Sequence, residues 1–335
     1  MPAVQTHQLR KVYVSTKRAP GSWGAVKALF APERVEVEAV KGIDLTLEQG
    51  EMVGFLGPNG AGKTTTLKML SGILFPTSGE ATVLGFTPWR RDPAMLRRIS
   101  LVMGNKMQLW WDLPAWDSFL VLKEVYEVDT VSFKRRTDFL VDALDLGDKI
   151  NTQVRKLSLG ERMKCELVAA LLHSPEVVFL DEPTLGLDVV SQKRIRDFIK
   201  QLHREDNCTV LLTSHYMQDV EELCDRVVVI DHGASVYEGT LKNLASEYQD
   251  TRRIKLVFSG PVDRAALERF GSVVEFDERS GTLEVPRAET AARTAAVLTG
   301  MPVEDVHIEE VEIEQVLRDL FTRSIVSRET PAGPG

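Results

Sequence analysis

The residues best placed to do chemistry begin at Gly57-Pro58-Asn59-Gly60-Ala61-Gly62-Lys63-Thr64-Thr65. The spacing G-x-x-x-x-G-K-T sets backbone N–H groups around phosphate oxygens. Glycines let the amides turn inward, and a helix opening at the loop's end adds positive partial charge. Lys63 can reach β- and γ-phosphates, and the Thr64 hydroxyl can hold Mg²⁺. A second constellation, Asp181-Glu182, ends the apolar run Val177–Leu180. An acid delivered opposite a phosphate loop is the Mg²⁺-holding arrangement of nucleoside triphosphatases. Asp181 then holds the ion through water, and Glu182 is placed to polarise an attacking water. His215 follows the run Thr209–Thr213. Ligand groups in open α/β sheets gather at the carboxyl ends of strands, so His215 is a candidate contact to the γ-phosphate or the water.

These groups need strands and helices to carry them. Met52–Leu56 reads as a buried strand, with a helix over 65–74 after the loop. Residues 3–14 read as a strand, and Val35–Val40 and Ile43–Glu48 as two half-exposed antiparallel strands of period two. Between them, residues 15–34 place Trp23, Val26, Leu29 and Phe30 at helical spacing. That segment is either a surface loop with a helical turn or an amphipathic helix facing a membrane or membrane subunit. Residues 104–157 read as a helical insert, with helices near 117–127 and 132–145. Three of the five tryptophans, Trp110, Trp111 and Trp116, fall within seven residues there. They are either core anchors of the insert or an aromatic surface for a partner helix. Ser158 opens a helix running to about Leu172, with Glu161 completing a capping box. Thr184 to Asp188 is a turn before a helix over Val190–His203, and a hairpin closes round Asp231-His232-Gly233. After about residue 249 the order β-α-β-β-α-β with a trailing helix over 313–321 predicts a small ferredoxin-like α+β unit. The Pro- and Gly-bearing end, 325–335, reads as a disordered tail.

With 335 residues and a net charge of −8, the chain has room for two or three units and no basic character for bulk nucleic acid. No run approaches the ~18 apolar residues of a membrane span. Cys165, Cys208 and Cys224 show no metal or disulfide spacing. A cytoplasmic setting is expected.

On these motifs the chain resembles, over roughly residues 5–245, the nucleotide-binding subunit of an ATP-binding cassette (ABC) transporter. Residues 57–65 are similar to its Walker A and Val177–Asp181 to its Walker B, with Glu182 as the catalytic glutamate. Ser158, Leu159, Gly160 and Glu161 resemble the signature LSGGQ, with Leu159 for its first Gly and Glu161 for Gln. Asp188 matches the D-loop, His215 the switch histidine, and Tyr13 the aromatic that stacks on adenine. The family's Mg²⁺-contacting Gln falls on Asn105, one methylene shorter, with Gln108 three residues on. The resemblance implies an α/β fold: a P-loop NTPase ABC core of mixed sheet, antiparallel β subdomain and helical subdomain (about 104–172), spanning 1–248. A small C-terminal α+β domain, 249–324, would follow. It further implies ATP hydrolysis with Mg²⁺ and a homodimer or heterodimer of cassettes. Membrane permease subunits on separate chains, docked near the tryptophans, would complete a bacterial exporter, with this chain peripheral on the cytoplasmic face. The C-terminal unit resembles extensions of drug-exporter ATPases, and the 15–34 insert those serving polysaccharide or teichoic-acid exporters. The rival class is an ABC ATPase acting on nucleic acid or ribosomes. It usually brings two cassettes, a long coiled coil or basic extensions.

Overall fold

The computed structural model describes residues 1–17, 33–104, 106–214, 216–248 and 251–310, with 314, 316, 317 and 321. Most of the 15–34 insert, Asn105, His215 and the tail 325–335 therefore lie outside the described residues. The chain divides into two compact units, Met1–Gly239 and Thr240–Gly335.

The first unit runs β1 (Val4–Lys17), β2 (Glu33–Leu47), β3 (Met52–Leu56), α1 (Lys63–Leu70), β4 (Ser78–Val83), α2 (Pro93–Leu96) and β5 (Ile99–Met103). It continues through α3 (Ala115–Val125), α4 (Thr130–Ala143), α5 (Leu159–Leu171), β6 (Val177–Asp181), α6 (Val189–Asp206) and β7 (Thr209–Thr213). Then come α7 (Met217–Leu223), β8 (Arg226–Asp231) and β9 (Ala234–Thr240). Among the described residues, six strands form the main sheet in the order β5-β6-β7-β3-β8-β9. The pairs β5–β6, β6–β7, β7–β3 and β3–β8 are parallel. β3, β6 and β7 are buried along their whole length, which is why they read as unbroken apolar runs. Parallel neighbours share one carboxyl edge. Gly57, Asp181 and Ser214 therefore leave the sheet on the same side.

A second sheet, β2-β1-β4, is antiparallel. One buried cluster joins it to the main sheet through Val4, Leu9, Val40, Leu45, Phe55, Leu67 and Phe179. Where the sequence predicts two strands, 35–40 and 43–48, the structure has one, β2. Its register with β1 shifts between Leu9 and Arg10, and Gly42 in the same stretch takes φ 86°. Such an irregularity reverses the in–out alternation without ending the pairing. The buried set passes from Val40 to Ile43, Leu45 and Leu47, and that change of phase imitates a break.

The second unit holds α8 (Leu241–Tyr248), β10 (Thr251–Phe258), α9 (Arg264–Leu267), β11 (Ser272–Asp277), β12 (Ser280–Pro286), α10 (Thr290–Gly300) and β13 (Val303–Glu310). Its sheet order is β11-β12-β10-β13, antiparallel throughout. Alternate residues of β10, Ile254, Leu256 and Phe258, enter a separate core with Leu267, Leu283, Val285 and Val297. Of the trailing helix expected over 313–321, the described residues 314, 316, 317 and 321 are helical.

Candidate nucleotide site

The phosphate loop spans the gap from β3 to α1. Gly62 caps α1 at φ 107°, and a Cβ there would stand 2.4 Å from the Ala39 carbonyl of β2. No side chain fits, so the loop can only pass against β2 with glycine at this point. Lys63 is 5% exposed, and its Nζ donates to the Gly57 carbonyl at 2.6 Å and the Pro58 carbonyl at 3.1 Å. Burial lowers its pKa, and the charges of Glu182 and Asp181 act against that shift. The ammonium is thus wrapped by the loop whose bound anion it would meet. Asn59 and Gly60 lie exposed at the loop's turn, while Ala61 is buried.

Asp181 ends β6 and is 4% exposed. Thr64 Oγ1 donates to its Oδ2 at 2.7 Å, and Thr213 Oγ1 to its Oδ1 at 2.8 Å. A hydroxyl and a carboxylate in contact form an all-oxygen pair suited to a small, hard cation that keeps several waters. Among the described residues no group of three or more His, Cys, Asp or Glu is assembled for a metal. Such an ion would therefore need oxygens from phosphate and water. Thr65 is half-buried on the first turn of α1.

Glu182 follows at φ 56°, a left-handed conformation costly for a side chain that is not glycine. Its N–H donates to the Thr213 carbonyl at 3.0 Å and lies 3.1 Å from the Thr213 hydroxyl. The strand end therefore turns sharply and separates the two acids. Thr213 meets both, and sequence reasoning did not single it out. Its signal is a polar residue ending a buried strand that pairs Asp181 with Thr213.

Ser158 and Glu161 form a full capping box. Ser158 Oγ accepts from the Glu161 N–H at 3.2 Å, and Glu161 Oε2 accepts from the Ser158 N–H at 2.9 Å. The Lys149 ammonium lies 2.8 Å from Glu161 and, with the Ser158 amide, holds that carboxyl below its usual range. Leu159 is 39% exposed at this helix start. A Cβ on Gly160 would stand 2.6 Å from Ser191 Oγ, so glycine lets α5 close on the first turn of α6. Asp188 caps α6 by accepting from the Ser191 N–H at 2.9 Å and hydroxyl at 2.6 Å, which lowers its pKa. The signature and Asp188 are therefore neighbours within one chain. Among the described residues no hydrogen bond joins them to the phosphate loop.

Beside Asn105, the Gly104 N–H donates to the Asp181 carbonyl at 2.8 Å. Gln108 turns to other partners. Its side chain donates to the Leu101 carbonyl at 3.2 Å, and its N–H to Glu166 on α5 at 3.0 Å. Trp110 and Trp111 are 46% and 44% exposed, near in sequence to exposed Leu113, Leu120 and Val121. Trp116 instead packs on Phe133, with ring centroids 5.8 Å apart. The tryptophans thus divide between an outer surface and an inner anchor. Tyr13 is exposed on β1 opposite Val37, two residues along β2 from the Ala39 that touches Gly62. The Lys11 ammonium lies 5.4 Å from its ring.

Comparison with known proteins bears on this arrangement. Residues 40–185 match the ABC transporter family, and residues 250–309 match the EvrA-like ABC transporter C-terminal domain. The ABC transporter ATP-binding protein NatA of Bacillus subtilis is 37% identical over 215 residues, 64% of this chain and 87% of that protein. The linearmycin resistance ATP-binding protein LnrL of the same organism is 34% identical over 79% of this chain and 85% of its own. The daunorubicin/doxorubicin resistance ATP-binding protein DrrA of Streptomyces peucetius is 34% identical over 69% of each chain. A solved ATP-binding subunit of an ABC transporter shares the fold at TM-score 0.61 and 21% identity, covering 73% of this chain and 93% of its own.

Proposed function

The chain belongs to the ABC transporters as an ATP-binding subunit and is an ATPase of that family, and from this premise we propose that it forms half of a paired, ATP-gated clamp driving export through separate permease chains. The observation that carries this reading is the split site. Thr64, Asp181 and Thr213 form one hydrogen-bonded cluster, whereas Ser158 and Gly160 open a capped helix with no described hydrogen bond to it. A second cassette facing head to tail brings its Ser158, Leu159, Gly160 and Glu161 to the ATP held by the first. Helix N-termini and loop amides then meet the phosphates from both sides.

In this reading Thr64 and Asp181, with Asn105, hold Mg²⁺, which when bound offsets charge on the phosphate oxygens. Lys63 binds the β- and γ-phosphates. Glu182 orients the water, His215 contacts the γ-phosphate, and Tyr13 stacks on adenine. Trp110 and Trp111 supply a permease-docking surface. The working unit sits peripherally at the cytoplasmic face of the membrane. The ATPase domain is assigned to 1–248 and the accessory domain to 249–324, with α8 grouping by its contacts with the second compact unit, Thr240–Gly335. The substrate class is drug-like, following the resistance proteins among the relatives, or lipid/polysaccharide-type, following the resemblance of the 15–34 insert.

Co-expression with the permease tests this. Glu182→Gln is expected to bind ATP, hydrolyse it at least ~100-fold more slowly, and accumulate as a permease-bound dimer. Trp111→Ala in that background keeps the ATP dimer and loses the permease. A Glu182→Gln chain that stays monomeric with ATP and keeps full turnover would refute the clamp. Intact co-purification of the Trp111→Ala chain would refute the docking surface.

A further inference from the structure

Behind the site lies a buried polar cluster that none of the assignments above uses. Asp219, on α7, is 0% exposed. Its Oδ2 accepts from the Thr184 hydroxyl, and from the Ser214 hydroxyl at 2.7 Å. Its Oδ1 accepts from Arg196 on α6 at 3.0 Å. Thr184 and Arg196 are each 1% exposed and Ser214 6%. Arg196 also lies 3.2 Å from Glu222, which the Lys200 ammonium approaches at 3.1 Å. Two cations and two anions thus balance in the cluster.

A buried ion pair is not a good way to stabilise a fold, since desolvation offsets most of its attraction. It does hold geometry where the carboxylate is hydrogen-bonded through both oxygens, as Asp219 is, although Arg196 Nε meets Glu222 as an ion pair and not as a hydrogen bond. The parts held here matter for the reaction. Thr184 lies two residues beyond Glu182. Ser214 directly follows β7, whose last residue Thr213 pairs with Asp181, and its hydroxyl accepts from the Tyr216 N–H at 3.0 Å. Arg196 lies two turns along the helix that Asp188 caps. One carboxylate therefore ties together the chain after Glu182, the chain after β7 and the helix of Asp188.

Glu182 supplies the reason such a tie is needed. Its left-handed conformation persists only where the surroundings over-determine it. The Thr213 carbonyl fixes its N–H side. The Thr184–Asp219 bond fixes the chain two residues later.

We propose that Asp219 is a positioning residue for ATP hydrolysis: through Thr184, Ser214 and Arg196 it holds the Glu182 turn in register with the Asp188 helix. The proposal rests on the reading of Glu182 as the group that orients water, and it predicts a change in turnover rather than in nucleotide binding.

The test uses the full chain, measuring kcat, the KM for ATP, affinity for a fluorescent ATP analogue, and urea unfolding. Thr184→Val removes one hydroxyl, and is expected to lower kcat about tenfold while KM and affinity stay within about twofold. Thr184→Ser keeps the hydroxyl and is expected to restore kcat. Asp219→Asn should match Thr184→Val, and the double variant should be no worse than Asp219→Asn, because the two act as one unit. The proposal is overturned by wild-type kcat in folded Thr184→Val and Asp219→Asn, by a Thr184→Ser loss equal to that of Thr184→Val, or by affinity falling in step with kcat. Wild-type turnover in Glu182→Gln would instead remove the reading of Glu182. Arrest in Glu182→Gln with normal kcat in Thr184→Val removes only the role of Asp219.

Discussion

Ser158 has one role in the fold and a second in the proposed clamp, and substitution can separate them. Its hydroxyl caps α5, and under the proposal the same helix start meets a partner's ATP. Ser158→Ala should cost about 1 kcal/mol of stability, as lost caps do. Ser158→Asp retains a capping oxygen and adds a charge favourable to the helix dipole. It should therefore unfold in urea like wild type. Yet the same carboxylate would face triphosphate, so ATP-driven pairing in the Glu182→Gln background should be lost. Size-exclusion chromatography with ATP reads that outcome, and a Ser158→Asp chain that still pairs would place Ser158 away from the nucleotide. The residues that defined this site from sequence were those whose chemistry is local: the loop 57–65, the acids ending β6, and the cap of α5. Thr213 and Ser191 were not legible, because their partners, Asp181 and Gly160, are set by strand register and helix packing. Asp219 and Arg196 gave one faint sign. A charged Arg196 sits among Ile195, Ile199 and Leu202 on the buried face of α6, which calls for a buried counter-charge.

At the scale of elements, side chains of α5 link it to the loop from β5 to α3. Glu166 on α5 is 3% exposed and accepts from the Gln108 and Leu109 N–H groups at 3.0 and 3.3 Å. One helical turn earlier, the Arg162 guanidinium lies 5.4 Å from the centre of the Trp111 ring. The exposed aromatic surface is thus fastened at two points to the helix that Ser158 caps. Helix patterns in 115–143 were readable from sequence, but this strap was not, since it joins residues 58 positions apart. Burial raises the Glu166 pKa, opposed by the two amides and Arg162. A carboxyl whose folded pKa is raised favours the fold most when protonated. Its contribution is full below the ordinary value of 4.5 and is lost as pH rises through the higher folded value. Glu166→Gln does not titrate. The variant should therefore gain stability relative to wild type as pH is raised from 4.5 into the neutral range, in paired urea titrations. A gap between the two proteins that is constant with pH would show that the carboxyl is ionised alike in folded and unfolded chains.

For the molecule as a whole, the phosphate loop concentrates anion binding in one place on a chain of net charge −8. Every site residue proposed above lies in the first unit. The second carries a core of its own, in which Ile254, Leu256, Phe258, Leu267, Leu283, Val285 and Val297 are at most 2% exposed. Its sheet closes without a strand from the first unit, since β10 lies between β12 and β13. The chain order of its strands and helices was legible in the sequence because each is short, regularly spaced and bounded by its own turn. The β1–β2 register did not, because a shift in alternation reads locally as an end. A unit with its own core and sheet has what independent folding requires. The fragment 240–335 is therefore expected to fold when expressed alone. It should unfold cooperatively on heating, with an enthalpy of roughly 40–70 kcal/mol at about 0.7 kcal/mol per ordered residue. The fragment 1–239 should retain ATP binding, because every described hydrogen bond around Lys63, Asp181 and Glu182 comes from within it. Calorimetry of the smaller fragment and nucleotide titration of the larger one decide the matter. A fragment 240–335 that melts without a transition, or a fragment 1–239 that no longer binds ATP, would show that the accessory unit is part of the ATPase's own fold.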